Sequence, residues 1–371
     1  MENRNENLRT DKEYVLGLRR LYESYGYKKF KMRKFEKYDL YLENKSFLRN
    51  ANIVTVTDPK GRLLALKPDI TLSIVKNVRS DALPLKVYYN ESVYTADSDS
   101  GDIKENTQVG LEYIGDLDIC AMAEILLLAC KSLAAADEEY KIAISHMGFA
   151  LEVLESSGLS ETDRISASQL ISDKNLHGLK TLCEKCNVGI GATERICKLI
   201  TVCGTCSDVI EDIKSMVCGV NSDEGYNELV SIATIFGEFG LSDKIIVDFS
   251  VMNDMKYYNG LFFQGFIRDI PKSVLSGGRY DKLLTRFGVN TCAIGFAVYT
   301  DLLENFKRKD NNYDYDVFIQ YSKDVKASAV LKKQVEITES GARCIAYSYE
   351  PEGLKYKCKI VLDSDGGVKY E

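Results

Sequence analysis

Residues 93–108 read VYTADSDSGDIKENTQ and run directly into 109–116, VGLEYIGD. Around an Asp- and Ser-rich loop, LKVYYNESVY (85–94) and TQVGLEYIG (107–115) carry the aromatic and β-branched residues that favour strands. The stretch therefore reads as a hairpin. Gln108 and Glu112 lie four residues apart on its second strand, which places both on one face of the sheet. A carboxylate beside an amide oxygen can hold a cation. The plainer alternative is two polar strand residues facing water.

Around this hairpin the signals alternate between strand and helix, the pattern of an α+β fold. An opening helix over 11–25 carries Tyr14, Leu16, Leu18, Leu21 and Tyr22 at helical spacing and stops at Gly26. YKKFKMRKFEKYDLYLEN (27–44) is strand-like. Residues 53–58 and 62–66 form a second hairpin across Asp58-Pro59-Lys60-Gly61, and LALKPDITLSIVKNV (64–78) follows. The apolar run 119–136 is interrupted by Glu124 and Lys131 and is too short for a bilayer, so it reads as a buried helix. From about 146 to 242 the pattern becomes short amphipathic helices, an insertion within the larger domain. Strands resume at KIIVDFSV (244–251) and YYNGLFFQGFI (257–267), and CAIGFAVYTDLLENF (292–306) adds a strand and a final helix. A Lys-, Asp- and Asn-rich linker at 307–315 divides a domain over 1–310 from a small α/β domain over 311–371. In the latter, DVFIQY and CIAYSY flank a helix and KCKIVLDSD is the last strand.

The balance of 48 Lys+Arg against 55 Asp+Glu argues against a dedicated nucleic-acid binder, whose footprint is a basic face. MENRNENLRT lacks an apolar core and is not a secretory signal, so the cytoplasm is expected, with no membrane association. Eleven scattered cysteines then read as reduced thiols. Cys183, Cys186, Cys203 and Cys206 have the C-x2-C-x16-C-x2-C spacing of a zinc site, but both pairs sit in helical-looking segments. Buried free thiols and no metal are the expectation.

Several motifs resemble those of class II aminoacyl-tRNA synthetases, the histidyl branch in particular. There, 93–108 would read approximately FRYERPQxGRYREFHQ, followed by xGxExxG; Gly101, Gln108, Gly110, Glu112 and Gly115 keep register. The family's α-phosphate arginine is Tyr94 here, the next Glu and Arg are Ala96 and Asp97, and two loop arginines are Asp102 and Lys104. KPDIT resembles the family's RPExT, NDMKYYNGLFFQ (253–264) its RGLDYYTGxxFE, and GFAVYTDLL (295–303) its GFGxGxERL. Two further family arginines are thereby Asn253 and Leu302, and Lys256 replaces an Asp.

By this resemblance, Asp69, Thr71, Gln108 and Glu112 surround a substrate ammonium group. Tyr257, Tyr258 and Tyr280 form the walls and hydroxyl partners of an imidazole, and Gly277-Gly278 lets backbone approach the ligand closely. The alternative for the tyrosines is ordinary sheet aromatics. His146 and His177 fall outside every motif and read as structural.

The amino-acid half of the motifs is thus retained while the phosphate-binding half has no arginines, a division that resembles the ATP phosphoribosyltransferase regulatory subunit family. That resemblance implies an antiparallel class II sheet flanked by helices and a C-terminal domain short of a full anticodon-binding domain. It also implies no catalytic residues, no cofactor and no tRNA. The expected assembly is a homodimer within a hetero-octamer with the short-form catalytic subunit, and L-histidine is the expected effector in the first step of histidine biosynthesis. The competing reading is a divergent histidyl-tRNA synthetase or ATP-dependent amino-acid ligase, which would have to replace at least three arginines; Lys104 and Arg279 are the candidates.

Overall fold

The hairpin over 85–115 supplies the second and third strands of a nine-stranded sheet. In the computed structural model, residues 2–48, 52–97, 100–251, 257–303, 313–363 and 368–370 are described. Asn253 and Lys256 lie outside them. The chain divides into two compact units, Met1–Phe306 and Lys307–Glu371.

In the first unit the strands are β1 (Lys28–Lys29), β2 (Phe35–Lys37), β3 (Thr55–Thr57), β4 (Leu63–Leu66), β5 (Leu85–Ala96) and β6 (Ile103–Gly115). They continue as β7 (Tyr140–His146), β8 (Cys203–Thr205), β9 (Ile245–Asp248), β10 (Leu261–Ile267), β11 (Leu275–Arg279) and β12 (Cys292–Tyr299). The main sheet has the order β1-β5-β6-β12-β11-β10-β7-β9-β8, and β2-β4-β3 form a small second sheet. The second sheet contains the expected hairpin: the Asp58 carboxylate accepts from the backbone N–H groups of Lys60 and Arg62, and Gly61 turns the chain at φ 77°.

The centre of the main sheet is antiparallel, as the resemblance implies, whereas β1 runs parallel to β5 and β7 parallel to β9. One face is covered by the helices Glu2–Ser24 and Ile119–Ala134. The latter starts where the Asp118 side chain accepts from the N–H of Ala121, and it buries Met122, Ile125, Leu126, Leu128 and Leu133. Burial of each such side chain contributes about 1.5–3 kcal/mol, so Leu126→Ala alone would cost about 2–5 kcal/mol. Tyr14 and Tyr22 of the first helix donate to or share hydrogen bonds with Ser132, which anchors one helix on the other.

Several boundaries differ from expectation. The opening helix begins at Glu2, and 27–44 holds two short strands followed by a helix, Tyr38–Glu43. The hairpin strands reach further than expected, leaving a turn of only 97–102 between them. The segment 146–242 supplies six helices but is not wholly helical. Cys203–Thr205 pairs antiparallel with β9 as the edge strand of the sheet, and the helices share one contiguous core with it. Three residues carry no detectable period, so such an edge strand is invisible locally. After β12 the first unit continues in a 3-10 turn, Thr300–Leu302, and the remainder of the expected final helix, 304–306, lies outside the described residues.

The second unit has its own small core of Ile319, Val330, Ile360 and Leu362. Its strands are β13 (Tyr315–Tyr321), β14 (Cys344–Tyr347), β15 (Tyr356–Leu362) and β16 (Val368–Tyr370), in the order β14-β13-β15-β16. The helix Ala327–Glu339 makes the crossover between parallel β13 and β14. The strand expected to be last is followed by β16, which pairs antiparallel with it.

Candidate functional site

Glycines build the floor of the main cavity. Registers across the sheet bring Gly278, Gly295 and Glu112 into one row, and Ser276, Ala297 and Gly110 into the next. A Cβ on Gly295 would collide with the Glu112 carboxylate, one on Gly110 with the Tyr89 hydroxyl and the Phe296 carbonyl, and one on Gly278 with the Tyr258 ring. Glycine at these rows lets larger side chains from neighbouring strands lie across the sheet. Gly277-Gly278 thus makes room for protein, not ligand: Gly277 faces Phe263 and Phe296 on the opposite side.

Above this floor is a cavity of about 200 Å³. Asp69, Thr71, Gln108, Glu112, Tyr257, Tyr258 and Tyr280 all line it. Glu112 is only 2% exposed, so it is not a strand residue facing water. Its two oxygens accept from different directions: Oε1 from Thr71 Oγ1 at 2.9 Å, Oε2 from Tyr280 Oη at 2.6 Å. Burial pushes its carboxyl up to about 8, against the lowering pull of the Tyr280 and Thr71 hydroxyls and with help from the nearby Asp69 charge.

Asp69 is placed by the backbone: its carboxylate accepts from the N–H of Leu72, in the first turn of the helix Thr71–Val75, at 2.6 Å. That short helix delivers Thr71 to Glu112. Tyr257 packs against Tyr258 with ring centroids 4.7 Å apart and against Tyr280 at 5.8 Å, and Tyr258 in turn packs on Phe262. Burial pushes the Tyr257 and Tyr280 hydroxyls well above the ordinary tyrosine value, so both remain neutral donors.

The motif reading missed Tyr89, Thr95, Asn106, Ser276 and Tyr299, which also line the cavity. Tyr89, Asn106 and Tyr299 were findable by register, because each shares the Gln108 and Glu112 face once β5, β6 and β12 are paired.

The lining carries two carboxyl groups and, among the described residues, no lysine, arginine or histidine. Such a cavity suits an ammonium or imidazolium group and disfavours polyphosphate. The described cations close to the lining in sequence are engaged elsewhere, Lys67 with Glu91 at 2.9 Å. Lys104 pairs with Asp97 at 2.5 Å near the tip of the hairpin, where Tyr94 donates to Glu105 at 2.9 Å. Arg279 crosses Gly260 to donate to Asp281 at 2.8 Å and pairs with Glu228 at 3.7 Å. Glu228 also meets His146 Nε2 at 3.1 Å, while His146 Nδ1 accepts from the N–H of Phe149 and caps the helix Met147–Glu155. His177 is exposed.

The cysteines are free thiols: Cys183 and Cys206 are buried, Cys186 is half-buried and Cys203 is exposed on β8. Among the described residues no three His, Cys, Asp or Glu side chains converge on a metal position. No helix there is long and apolar enough to cross a membrane.

Comparison with known proteins places this geometry in a family. The family model of histidyl-tRNA synthetase matches residues 4–303. The ATP phosphoribosyltransferase regulatory subunit of Acetivibrio thermocellus is 30% identical over 287 residues, covering 76% of this chain and 68% of its own. The chain belongs to the ATP phosphoribosyltransferase regulatory subunit family of histidyl-tRNA synthetase-like proteins. Another member, from Clostridium kluyveri, is 29% identical over 358 residues and covers 91% of this chain and 90% of its own. Among solved structures, an ATP phosphoribosyltransferase regulatory subunit/histidyl-tRNA synthetase from Bacillus halodurans superposes with a TM-score of 0.77 at 24% identity, over 96% of this chain and 94% of that one. The ATP phosphoribosyl transferase (HisG:HisZ) complex from Thermotoga maritima contains a chain matching at TM-score 0.62 and 20% identity, over 78% of this chain and 97% of that one. Both share the class II fold.

Proposed function

We propose that this chain is a non-catalytic subunit of ATP phosphoribosyltransferase, required by a separate short-form catalytic chain and carrying the L-histidine feedback site in the cavity over Glu112. The observation that carries this reading is the charge of the site. Two carboxyl groups and hydroxyl donors line the amino-acid end, and the described motif cations, Lys67, Lys104 and Arg279, are held by Glu91, Asp97, Asp281 and Glu228. The positions equivalent to phosphate-binding arginines are Tyr94, Asp97, Asp102 and Leu302. Each electrostatic stabiliser removed from such chemistry costs about 100–1000-fold in rate, so nucleotide activation is not supported. The acidic turn 97–102 would also repel a tRNA acceptor stem.

In this reading the subunit acts by contact, as a homodimer within a hetero-octamer of four regulatory and four catalytic chains. Histidine bound here favours one assembly state, with a coupling of about 1–3 kcal/mol that is reciprocal between histidine and the partner's substrates.

The test combines the chain with a short-form catalytic subunit. Turnover is expected to rise on addition of the chain and to fall with histidine, and Tyr258→Phe is expected to weaken that inhibition. The chain alone is expected to show no histidine-dependent ATP–pyrophosphate exchange. Robust exchange would replace this reading with a divergent synthetase or ligase, and a catalytic subunit indifferent to the chain would remove the partner.

A further inference from the structure

Ser276 is the second residue of β11, between Gln264 of β10 and Ala297 of β12. Ala297 lies opposite Gly110, so the row Ser276–Ala297–Gly110 crosses the cavity floor between the row of Glu112 and the row of Gln108. Alanine and glycine keep this row low. Ser276 supplies the polar side chain among those three, and it lines the cavity. It is 4% exposed, and its Oγ has no hydrogen-bond partner. An unpaired buried hydroxyl is unfavourable, and one facing a polar cavity marks a position where a ligand atom completes the bond.

We propose that Ser276 is a ligand-contacting, specificity-determining residue of this cavity, its hydroxyl pairing with a polar group of a small nitrogen-bearing ligand that lies across the floor from Glu112 towards Gln108. This rests on reading the cavity as the histidine site. A serine hydroxyl both donates and accepts, so it can pair with a heteroaromatic ring nitrogen in either its donor or its acceptor form. A site built to form such a bond also rejects isosteric ligands without the partner atom, because the hydroxyl would again be left unpaired.

The experiment measures L-histidine binding to the full chain by calorimetry, with thermal unfolding of each variant in the absence of ligand. Ser276→Ala is expected to bind histidine about tenfold more weakly, while its ligand-free melting temperature stays level or rises because the orphan hydroxyl is gone. Ser145→Ala is the matched control. Ser145 is 0% exposed with an equally unpartnered Oγ, but it sits on β7 outside the cavity lining. Its loss is expected to leave histidine affinity unchanged. Wild-type affinity in Ser276→Ala, or an equal loss in Ser145→Ala, overturns the assignment while leaving the histidine reading intact. Failure of the wild-type chain to bind histidine removes both.

Discussion

The two ends of the β5–β6 hairpin handle carboxylates in opposite ways. At the base of the hairpin Glu112 is buried among tyrosines, bonded to two hydroxyl donors and shifted up to about 8. Near the tip Asp97 is partly open to solvent and answered by Lys104, itself largely exposed. In the first environment a misplaced atom is expensive, because a buried carboxyl has no water to fall back on. In the second, solvent screening makes the pairing worth little. The difference separates a preorganised binding floor from a rim whose charges cancel locally. That division is the physical content of a synthetase-like site that has kept one half of its chemistry.

Gly295 offers the most forceful way to break the comparison. Any Cβ there meets the Glu112 carboxylate and the Leu111 carbonyl, and backbone cannot move aside as a flexible side chain can. Gly295→Ala should destabilise the chain by about 3 kcal/mol, the upper range for overpacking, and abolish histidine binding. Denaturant unfolding measures this. Wild-type stability would mean the floor is looser than its geometry indicates.

Next in size is the pH dependence. With an ordinary value of 4.5 and a folded value of about 8, Glu112 holds a proton in the folded state that the unfolded chain has released. Its contribution is therefore complete below about pH 4.5 and is lost as pH rises through 8, at up to about 1.4 kcal/mol per pH unit. Glu112→Gln keeps the shape and removes the titration. Unfolding curves taken across this window should slope downward for the wild type and flatten for the variant; equal slopes would show that Glu112 is ionised like an ordinary surface carboxylate.

The smallest effect belongs to the rim. Lys104→Ala should change stability by less than about 0.5 kcal/mol, since its partner sits in a screened, exposed pair. A loss several times larger, by the same unfolding measurement, would erase the contrast between floor and rim.

Much of the fold was legible because its signals are local. The apolar run over 119–136, the Asp-Pro-Lys-Gly turn and the strand composition of 85–94 each report on their own segment. Glu112 and Gln108 were legible as a pair because strand periodicity is two. Gly277-Gly278 was misread because a glycine shows that something approaches without saying what; here it is Tyr258, Phe263 and Phe296. The strand at Cys203–Thr205 was missed because an edge strand of that length is defined by its neighbour, β9. Ser276 had no signal at all, since a small polar residue beside glycines reads as an ordinary turn.

The amino-acid sequence by itself determined the charge inventory of the site: which positions carry carboxyl, amide and hydroxyl groups, and which carry tyrosine, aspartate or leucine in place of arginine. These are covalent facts that no packing can alter. The tertiary structure alone decided their state. It buried Glu112 and left Asp97 near solvent, turned Arg279 towards Asp281 and Glu228, and left the Ser276 hydroxyl facing the cavity without a partner. The reason is that protonation, pairing and desolvation depend on what lies within a few ångströms, and those neighbours come from strands far apart in the chain.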